Sequence, residues 1–437
     1  MTATRRKTVV LDDDPTGTQT VHDVAVLTTW GVKELSDEFR RDASLFFILT
    51  NSRSLPSAEA ETLAQQIGVN LRTAAERAGV EVDVISRGDS TLRGHYPGEV
   101  DALTAALGWS EPVHVLCPFF AEGGRVTIDD VHYIVDGDRK TPVGETEFAR
   151  DAQFGFRSSH LFDWIVEKSD GRIHRSRIRS VGSDDLREQP VGVIAERLAA
   201  TPPGGVVVVN AAVEDDVRRF VAAVRSVKES DRRFIFRTAA GFVRAWADLP
   251  TRPPLDAEAF VDPAVAAGLI IVGSHVPRTT VQLGRLVDRG DVESVELSIE
   301  SLVAGGSEVA IAVADRVSDH LTAGSHVVLS TPRRFHADSA DPSGLRTGRL
   351  VSRSLVDIVR RIETPLRFLV AKGGITSSNM ATEALDVRRA TVIGQALPGV
   401  PVWRLGEESR RTGTAYVVFP GNVGDDDALL GLFRRLK

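Results

Sequence analysis

Short apolar segments alternate with helical patterns along almost the whole 437-residue chain. Residues 45–49, Leu-Phe-Phe-Ile-Leu, are typical of a buried strand, whereas Leu63, Ile67 and Leu71 recur every four residues, as they do on one face of a helix. Such alternation indicates βαβ units and mostly parallel sheets, so we expect an α/β fold. Further strands are predicted at residues 82–85, 113–117, 206–209, 233–236, 268–272, 327–329, 368–371 and 415–419.

Three prolines within residues 249–254 interrupt this alternation near the middle of the chain. Neither a helix nor an inner strand continues through such a segment, because proline lacks the backbone N–H that both structures need. We therefore predict two α/β domains, residues 1–250 and 260–437, with a cleft between them. A surface loop is predicted at residues 332–347, which are rich in Asp, Ser and Gly.

The charge and the apolar patterns limit the possible partners. A formal net charge of −7 argues against nucleic acid as a main partner, since neutralising phosphates requires a basic surface. No apolar run is long enough to cross a bilayer, and the run near the N-terminus stops at Asp12, too early for a signal peptide. The single cysteine, Cys117, suggests a reducing compartment. We therefore expect a cytoplasmic protein without a nucleic-acid or membrane partner.

Three carboxylates, Asp12, Asp13 and Asp14, follow the apolar residues 9–11, and Thr16 lies in the polar loop beyond them. Open α/β sheets bind ligands where such loops leave the carboxyl edge. Adjacent carboxylates repel one another, so they suggest a proton acceptor, a metal-bound phosphate or a polyhydroxylated substrate nearby. The alternative is a solvated turn in which one Asp caps the next helix.

A second polar loop follows another predicted strand, and in it Arg87 and Arg93 flank Asp89 and Ser90. A guanidinium group matches a carboxylate through two parallel hydrogen bonds, while Asp and hydroxyl side chains suit the hydroxyls of a sugar. The pattern therefore favours an acidic, hydroxylated ligand, and an ion pair between Asp89 and one of the two arginines is the alternative. Arg125 ends a Gly-Gly-Arg segment that also offers amides and a guanidinium to an anion, although a plain glycine turn is equally compatible.

The second half of the chain contains three predicted strands that each run into a glycine loop, at residues 271–280, 367–379 and 417–425. Glycines let a phosphate approach the backbone, and hydroxyl side chains add donors. A tight turn with Ser or Thr as N-cap is the alternative for any one loop, but the three together favour a nucleotide site. The common P-loop and dinucleotide fingerprints are absent from the sequence.

In their order along the chain, these motifs resemble those of the four-carbon acid sugar kinase family. The D-S-T-L-R-G motif of the family is matched in full by residues 89–94 and is the most specific of them. The other resembling segments are residues 13–17 (D-D-x-T-G), 118–125, 145–151, 373–376 (G-G-x-T) and 421–424.

The resemblance implies an N-terminal domain that binds a sugar acid and a C-terminal domain that binds ATP with Mg²⁺. It further implies phosphorylation of the terminal hydroxyl of threonate, erythronate or a related tetronate, and a possible homodimer. Lys372 could replace a lysine that the family commonly has before its last glycine loop, and no residue is assigned to the metal. The positions at which the family contacts ATP are Ser274, Gly373, Gly374, Ile375, Thr376 and Gly421.

These inferences combine into an explicit hypothesis about the sugar-acid site. Asp13 or Asp14 accepts the proton of the attacking hydroxyl. Arg93, helped by Arg87, holds the carboxylate of the acid. The remaining substrate contacts are assigned to Thr16, Asp89, Ser90 and Arg125. Two alternatives stay open: a non-catalytic regulator that binds the same ligands, and an ATP-dependent ligase that activates the carboxylate.

Overall fold

The computed structural model describes residues 5–227, 232–333 and 345–437. The chain divides into two compact units, Met1–Thr251 and Arg252–Lys437, and each unit has its own hydrophobic core. Both units combine helices with a mostly parallel sheet, which confirms the predicted α/β class. Within the described ranges, no helix is long and apolar enough to cross a membrane.

The first unit is built on a parallel sheet with the strand order β2-β3-β1-β4-β11-β5-β10-β9. Its strands are β1 (Arg5–Asp12), β2 (Val24–Leu27), β3 (Leu45–Leu49), β4 (Val80–Arg87), β5 (Val113–Cys117), β9 (Ile178–Val181), β10 (Val206–Val209) and β11 (Phe234–Thr238). Every residue of β3, β5 and β10 is buried, which means that both faces of the sheet are covered. Strands covered on both faces are continuous apolar runs, and this is why the sequence revealed them.

A small antiparallel sheet and the helices complete this unit. The small sheet contains β6 (Arg125–Ile128), β7 (Val131–Asp136) and β8 (Arg139–Pro142). The helices are α1 (Val32–Arg40), α2 (Ser57–Ala78), α3 (Gly98–Ala106), α4 (Leu161–Lys168), α5 (Ser183–Glu188), α6 (Val191–Ala199), α7 (Glu214–Ser226) and α8 (Ala240–Trp246).

The second unit has the strand order β13-β14-β12-β15-β18-β17-β16. The first five of these strands are parallel, and β17 runs antiparallel to both of its neighbours. The strands are β12 (Leu269–Val272), β13 (Glu293–Glu296), β14 (Val327–Ser330), β15 (Leu369–Lys372), β16 (Arg389–Leu397), β17 (Val400–Leu405) and β18 (Ala415–Phe419). The helices are α9 (Pro277–Arg289), α10 (Ile299–Thr322), α11 (Leu345–Arg361), α12 (Gly374–Asn379) and α13 (Ala428–Leu436).

The loop predicted at residues 332–347 differs from the structure at its C-terminal end. Helix α11 already begins at Leu345, because Val351, Leu355 and Ile358 recur at helical spacing and are buried. Residues 334–344 lie outside the described part of the chain.

Candidate active site

Strands β3, β1, β4 and β11 are parallel neighbours, so their carboxyl ends lie side by side at one edge of the first sheet. The loops that leave these ends bring together charged side chains that are far apart in the sequence. The ion pairs there join Asp12, Asp13, Asp14, Arg53, Arg87, Asp89, Arg93, Glu99, Asp151 and Arg237. This edge is where an open α/β sheet binds its ligands.

Asp13 is buried among three guanidinium groups. Arg53 grips its carboxylate with two hydrogen bonds, one from Nε to Oδ2 at 3.1 Å and one from Nη2 to Oδ1. Nη1 of Arg87 lies 3.4 Å from Oδ1, and Nη2 of Arg237 lies 3.8 Å from Oδ2. Burial alone would raise the pKa of Asp13, but these cations, Arg53 above all, hold it below its ordinary value. Asp13 is therefore an ionised carboxylate whose oxygens are already occupied.

Asp12 is shielded from any ligand. Its carboxylate lies directly beneath Gly17, where a Cβ atom would be 2.1 Å from Oδ1. Nη1 of Arg87 is its partner, at 3.1 Å. Burial raises the pKa of Asp12 to about 7, the Arg87 charge opposes that rise, and the neighbouring carboxylates of Asp13 and Asp14 reinforce it. We regard Asp12 as part of the framework of the site.

Asp14 is the most open carboxylate of the acidic motif. Its Oδ1 accepts a hydrogen bond from the backbone N–H of Thr16 at 2.8 Å, capping the short 3₁₀ turn Pro15–Thr18. Its Oδ2 is 3.7 Å from Nη1 of Arg53, and the residue is only half-buried. The capping role considered from the sequence thus applies to one oxygen of Asp14, and the second oxygen makes no hydrogen bond among the described residues.

The second motif forms its own ion pair. Nε of Arg93 donates to Oδ2 of Asp89 at 2.8 Å, and the Thr91 hydroxyl donates to the same oxygen. Nη1 of Arg93 is also 3.5 Å from Asp151, and its guanidinium lies 4.9 Å above the ring of Phe148. Although burial opposes the charge, Arg93 and then Arg53 hold the pKa of Asp89 well below its usual range. The pairing of Asp89 with Arg93 is the alternative that the sequence left open.

Arg53 connects the two motifs and was not identified from the sequence. Besides gripping Asp13, its Nη1 lies 3.7 Å from Asp14 and 3.9 Å from Asp89. Arg237, at the end of β11, was also missed; it donates to the Ser86 hydroxyl at 3.0 Å. The one available signal was that Arg53 follows the predicted strand at residues 45–49. If that strand lay beside the one that precedes Asp13, both residues would lie at the same edge of the sheet.

Arg87 and Arg125 differ in whether a carboxylate of the protein compensates their charge. Nη1 of Arg87 contacts Asp12 and Asp13, so its charge is compensated by carboxylates, although its buried Nε has no hydrogen-bond partner among the described residues. Arg125 donates to the carbonyl of Gly123, forms no ion pair within the described residues, and has a buried Nε without a hydrogen-bond partner. Burial lowers the pKa of Arg125, which expresses the cost of holding this charge unpaired.

The hydroxyl side chains of Thr16 and Ser90 are available to a ligand. Both residues are half-buried at this edge of the sheet. Their backbones are engaged, Thr16 N–H by Asp14 and the Ser90 carbonyl by Nε2 of His132 at 2.8 Å. In the described part of the chain, neither hydroxyl takes part in a hydrogen bond.

The described residues contain no group of three or more His, Cys, Asp or Glu side chains placed to hold a metal ion. The carboxylates at the edge of the first sheet fit arginine partners instead, as the contacts of Asp13 and Asp89 demonstrate.

In the second unit, three glycine loops meet at the carboxyl ends of the neighbouring strands β12, β15 and β18. The N–H of Gly273 donates to the Lys372 carbonyl at 3.2 Å, and the N–H of Gly373 donates to the Phe419 carbonyl at 2.9 Å. The Thr279 hydroxyl then joins two of the loops, since it lies 3.2 Å from the Ser274 hydroxyl and donates to the Gly421 carbonyl at 2.8 Å.

The loops pack too tightly for larger residues. Gly373 has a φ of +121°, and a Cβ there would lie 2.9 Å from Cβ of Ser274. A Cβ on Gly421 would lie 2.5 Å from the Ser274 hydroxyl oxygen. Around this junction, Gly374 is half-buried, Ile375 is exposed and Thr376 is buried. The predicted ATP contacts therefore lie together on one surface of the second unit.

Lys372 lies beneath this surface. Its side chain is 0% exposed, its Nζ donates to the Pro420 carbonyl at 3.0 Å, and the same atom lies 3.8 Å from the centre of the Phe419 ring. Burial, assisted by the charge of Arg278, lowers its pKa to about 7. Lys372 therefore joins β15 to β18 through this hydrogen bond, and its contact with a phosphate stays a prediction.

Comparisons with known proteins also distinguish an N-terminal and a C-terminal part of the chain. Residues 8–246 match the family model of a sugar-binding N-terminal domain, and residues 269–429 match that of a nucleotide-binding C-terminal domain. The chain is 26% identical to a D-threonate kinase of Bordetella bronchiseptica over 404 residues, 91% of this chain and 87% of that protein. It is also 26% identical over 294 residues to a 3-oxo-isoapionate kinase of Paraburkholderia graminis, covering 60% and 59% of the two chains.

Solved structures with the same fold exist at lower identity. A protein of Salmonella typhimurium described as a putative tRNA synthase superposes with a TM-score of 0.71 at 17% identity, and 99% of each chain is covered. A Haemophilus influenzae protein gives a TM-score of 0.64 at 16% identity over 98% of each chain. These structures support the fold, while the two domain matches, the first of them covering more than half of the chain, define the family. The chain belongs to the four-carbon acid sugar kinase family.

Proposed function

We propose that the protein is a kinase that transfers the γ-phosphate of ATP to the terminal hydroxyl of a four-carbon sugar acid, such as threonate, erythronate or a related tetronate. The observation that carries the proposal is the convergence of Asp14, Arg53, Asp89 and Arg93 at the carboxyl edge of the sugar-binding domain. A site for such a substrate has two requirements. It needs a carboxylate that accepts the proton of the hydroxyl, and it needs guanidinium groups that bind the carboxylate of the acid.

Asp14 is the better of the two candidates for the proton acceptor. Both oxygens of Asp13 are held by arginines, and its lowered pKa makes it a weak base. Oδ2 of Asp14 makes no hydrogen bond among the described residues, while the bond of Oδ1 to the Thr16 N–H fixes the direction of the carboxylate. In the proposed reaction, Oδ2 of Asp14 accepts the proton of the terminal hydroxyl as its oxygen attacks the phosphate.

Phosphoryl transfer depends chiefly on alignment of the reactants and on charge stabilisation. Arg53 supports alignment because it holds Asp13 in place through two hydrogen bonds. It supports charge stabilisation because it places a positive charge 3.7 Å from Asp14. Magnesium bound to the ATP phosphates would supply neutralising charge. The hydroxyls of Thr16 and Ser90 would orient the substrate.

We assign the carboxylate of the substrate to Arg125 together with Arg93. Arg125 is the arginine of this site that lacks an ion pair within the described residues, so an incoming carboxylate would supply its missing partner. Because no carboxylate of the protein depends on it, Arg125→Gln should weaken sugar-acid binding about 10- to 100-fold with little effect on the fold. Titration calorimetry with threonate and erythronate measures this change.

Arg179→Gln is the matched control for that experiment. Arg179 is exposed and, like Arg125, donates to backbone carbonyls, in its case those of Ser176 and Ile178. The control should bind the sugar acid as the wild type does. Equal affinity of both variants for the sugar acid would show that Arg125 does not bind its carboxylate.

The proposed ATP site lies on the joined glycine loops of the second unit. Gly374→Val would fill the space that a phosphate needs next to the backbone, so we expect ATP affinity to fall by about tenfold or more, a cost of about 1.4 kcal/mol. Gly431→Val, on the exposed side of α13 where a Cβ meets no atom within 4 Å, is the control. Calorimetry with ATP and Mg²⁺ compares the two, and normal binding in folded Gly374→Val would exclude this loop.

Turnover of a panel of tetronates with ATP and Mg²⁺ tests the function itself. A kinase releases ADP and a phosphorylated acid, which mass spectrometry identifies. A ligase would require a second nucleophile and would release phosphate or AMP. Binding of both ligands without any product would instead support a regulator.

A further inference from the structure

A small cavity of about 10 Å³ lies against the Asp89–Arg93 pair. Besides these two residues, Trp164, Arg237 and Thr238 contribute the polar side chains of its wall. Trp164 comes from α4 and Thr238 from the last position of β11, so neither belongs to a motif that the sequence revealed. A volume of this size holds one oxygen atom with its hydrogens, as in a water molecule or a hydroxyl group.

Two residues of the wall carry a buried polar atom that has no hydrogen-bond partner among the described residues. Trp164 is 2% exposed and Thr238 is 3% exposed, yet within the described residues Nε1 of Trp164 and Oγ1 of Thr238 make no hydrogen bond. Leaving a buried donor or acceptor unpaired costs about 1–3 kcal/mol, so such groups in a native protein usually face a ligand or an ordered water. Because both residues line the same cavity, a guest oxygen there would supply the missing partner.

The charges around the cavity favour a neutral guest. Arg93 is paired with Asp89 at 2.8 Å. Arg237 is shared by Glu99 at 3.7 Å and Asp13 at 3.8 Å. A cavity of this size admits a single oxygen, so the substrate carboxylate assigned to Arg125 and Arg93 would lie outside it. A hydroxyl group fits, since it can accept from the indole N–H and donate to a carboxylate or to Oγ1 of Thr238.

We propose that this cavity receives one secondary hydroxyl of the sugar acid and that Trp164 and Thr238 select for its presence. The inference rests on the proposed function, because it assumes that the ligand at this edge of the sheet is a hydroxylated acid. A site built to hydrogen-bond a hydroxyl discriminates strongly against an analogue that lacks it, because the buried polar groups are then left unpaired. The cavity would thus make the protein specific for an acid hydroxylated at carbon two or carbon three.

Affinities measured without ATP test the inference separately from turnover. Calorimetry compares the tetronate that binds best with its two monodeoxy analogues, 2,4-dihydroxybutanoate and 3,4-dihydroxybutanoate. The wild type should bind one analogue at least about tenfold more weakly than the tetronate. Thr238→Val, which keeps the shape but removes the hydroxyl, should reduce that preference about 3- to 10-fold, the worth of one hydrogen bond. Thr238→Ser, which retains a hydroxyl, should preserve it.

Trp164→Phe is a second, independent variant that removes the N–H and should reduce the same preference. If Thr238→Val and folded Trp164→Phe weaken the tetronate and its analogues equally, the cavity holds only a structural water and the inference is wrong. If the wild type binds tetronates with this preference but forms no phosphorylated product, the kinase proposal fails while the hydroxyl site stands.

Discussion

Asp14→Asn should lower kcat by about 10²- to 10⁴-fold, the usual contribution of a positioned general base. The amide keeps an oxygen that can accept from the Thr16 N–H, so the turn Pro15–Thr18 and the fold should persist. What disappears is the carboxylate oxygen that accepts the proton of the attacking hydroxyl. Steady-state kinetics with the preferred tetronate measures kcat and KM, and KM should change far less than kcat.

Asp262→Asn is the matched control, because Oδ1 of Asp262 accepts from the N–H of Ala264 at 3.0 Å in the same two-residue arrangement. Its kcat should equal that of the wild type. Near-normal turnover in Asp14→Asn would refute the assignment. A large loss of kcat confined to Asp13→Asn would transfer the role of base to Asp13.

Asp13→Asn should lower the free energy of unfolding by about 3–5 kcal/mol, the usual cost of removing one partner from a buried ion pair. The substitution leaves the guanidinium groups of Arg53, Arg87 and Arg237 close together without the one carboxylate that all three share. Urea unfolding at neutral pH measures the difference. Asp37→Asn, which removes an exposed carboxylate paired with Lys33, is the control and should change stability far less.

The stabilisation by Asp13 should depend on pH in a defined direction. The pKa of Asp13 is lower in the folded protein than its ordinary value of about 3.9 in an unfolded chain. Its contribution is therefore fully present above that unfolded value and is lost as the pH falls through the folded pKa. The stability difference between wild type and Asp13→Asn should shrink below about pH 4. A difference as small as that of Asp37→Asn would show that the arginine cluster does not need this anion.

Much of the strand pattern was accessible from local composition. The predicted strands at residues 45–49, 113–117, 206–209 and 415–419 coincide with β3, β5, β10 and β18. All four are buried throughout, so their apolar runs stand out without knowledge of any neighbour. The acidic motif and the D-S-T-L-R-G segment were visible for a related reason, because clusters of charged and hydroxyl groups directly after a buried strand are rarely needed for packing.

The pairing of the charges was not accessible in this way. Arg87 was assigned to the substrate from its residue type, whereas the structure directs it at Asp12 and Asp13. Arg53, forty positions from Asp13 in the sequence, escaped notice although it makes the closest contact. Lys372 was considered as a phosphate ligand and is buried under the loop it precedes.

The amino-acid sequence by itself determined the α/β class, the family and the chemical groups offered to a ligand, because apolar runs and motif residues are local properties of a chain. Only the tertiary structure decided which of those groups are still available. The order of β3, β1, β4 and β11 places distant charges side by side. There Arg53 and Arg87 neutralise Asp13, whereas Asp14 is half-buried and Arg125 has a buried Nε without a hydrogen-bond partner among the described residues. Electrostatic pairing depends on distances of a few ångströms, and those distances are set by strand order and burial.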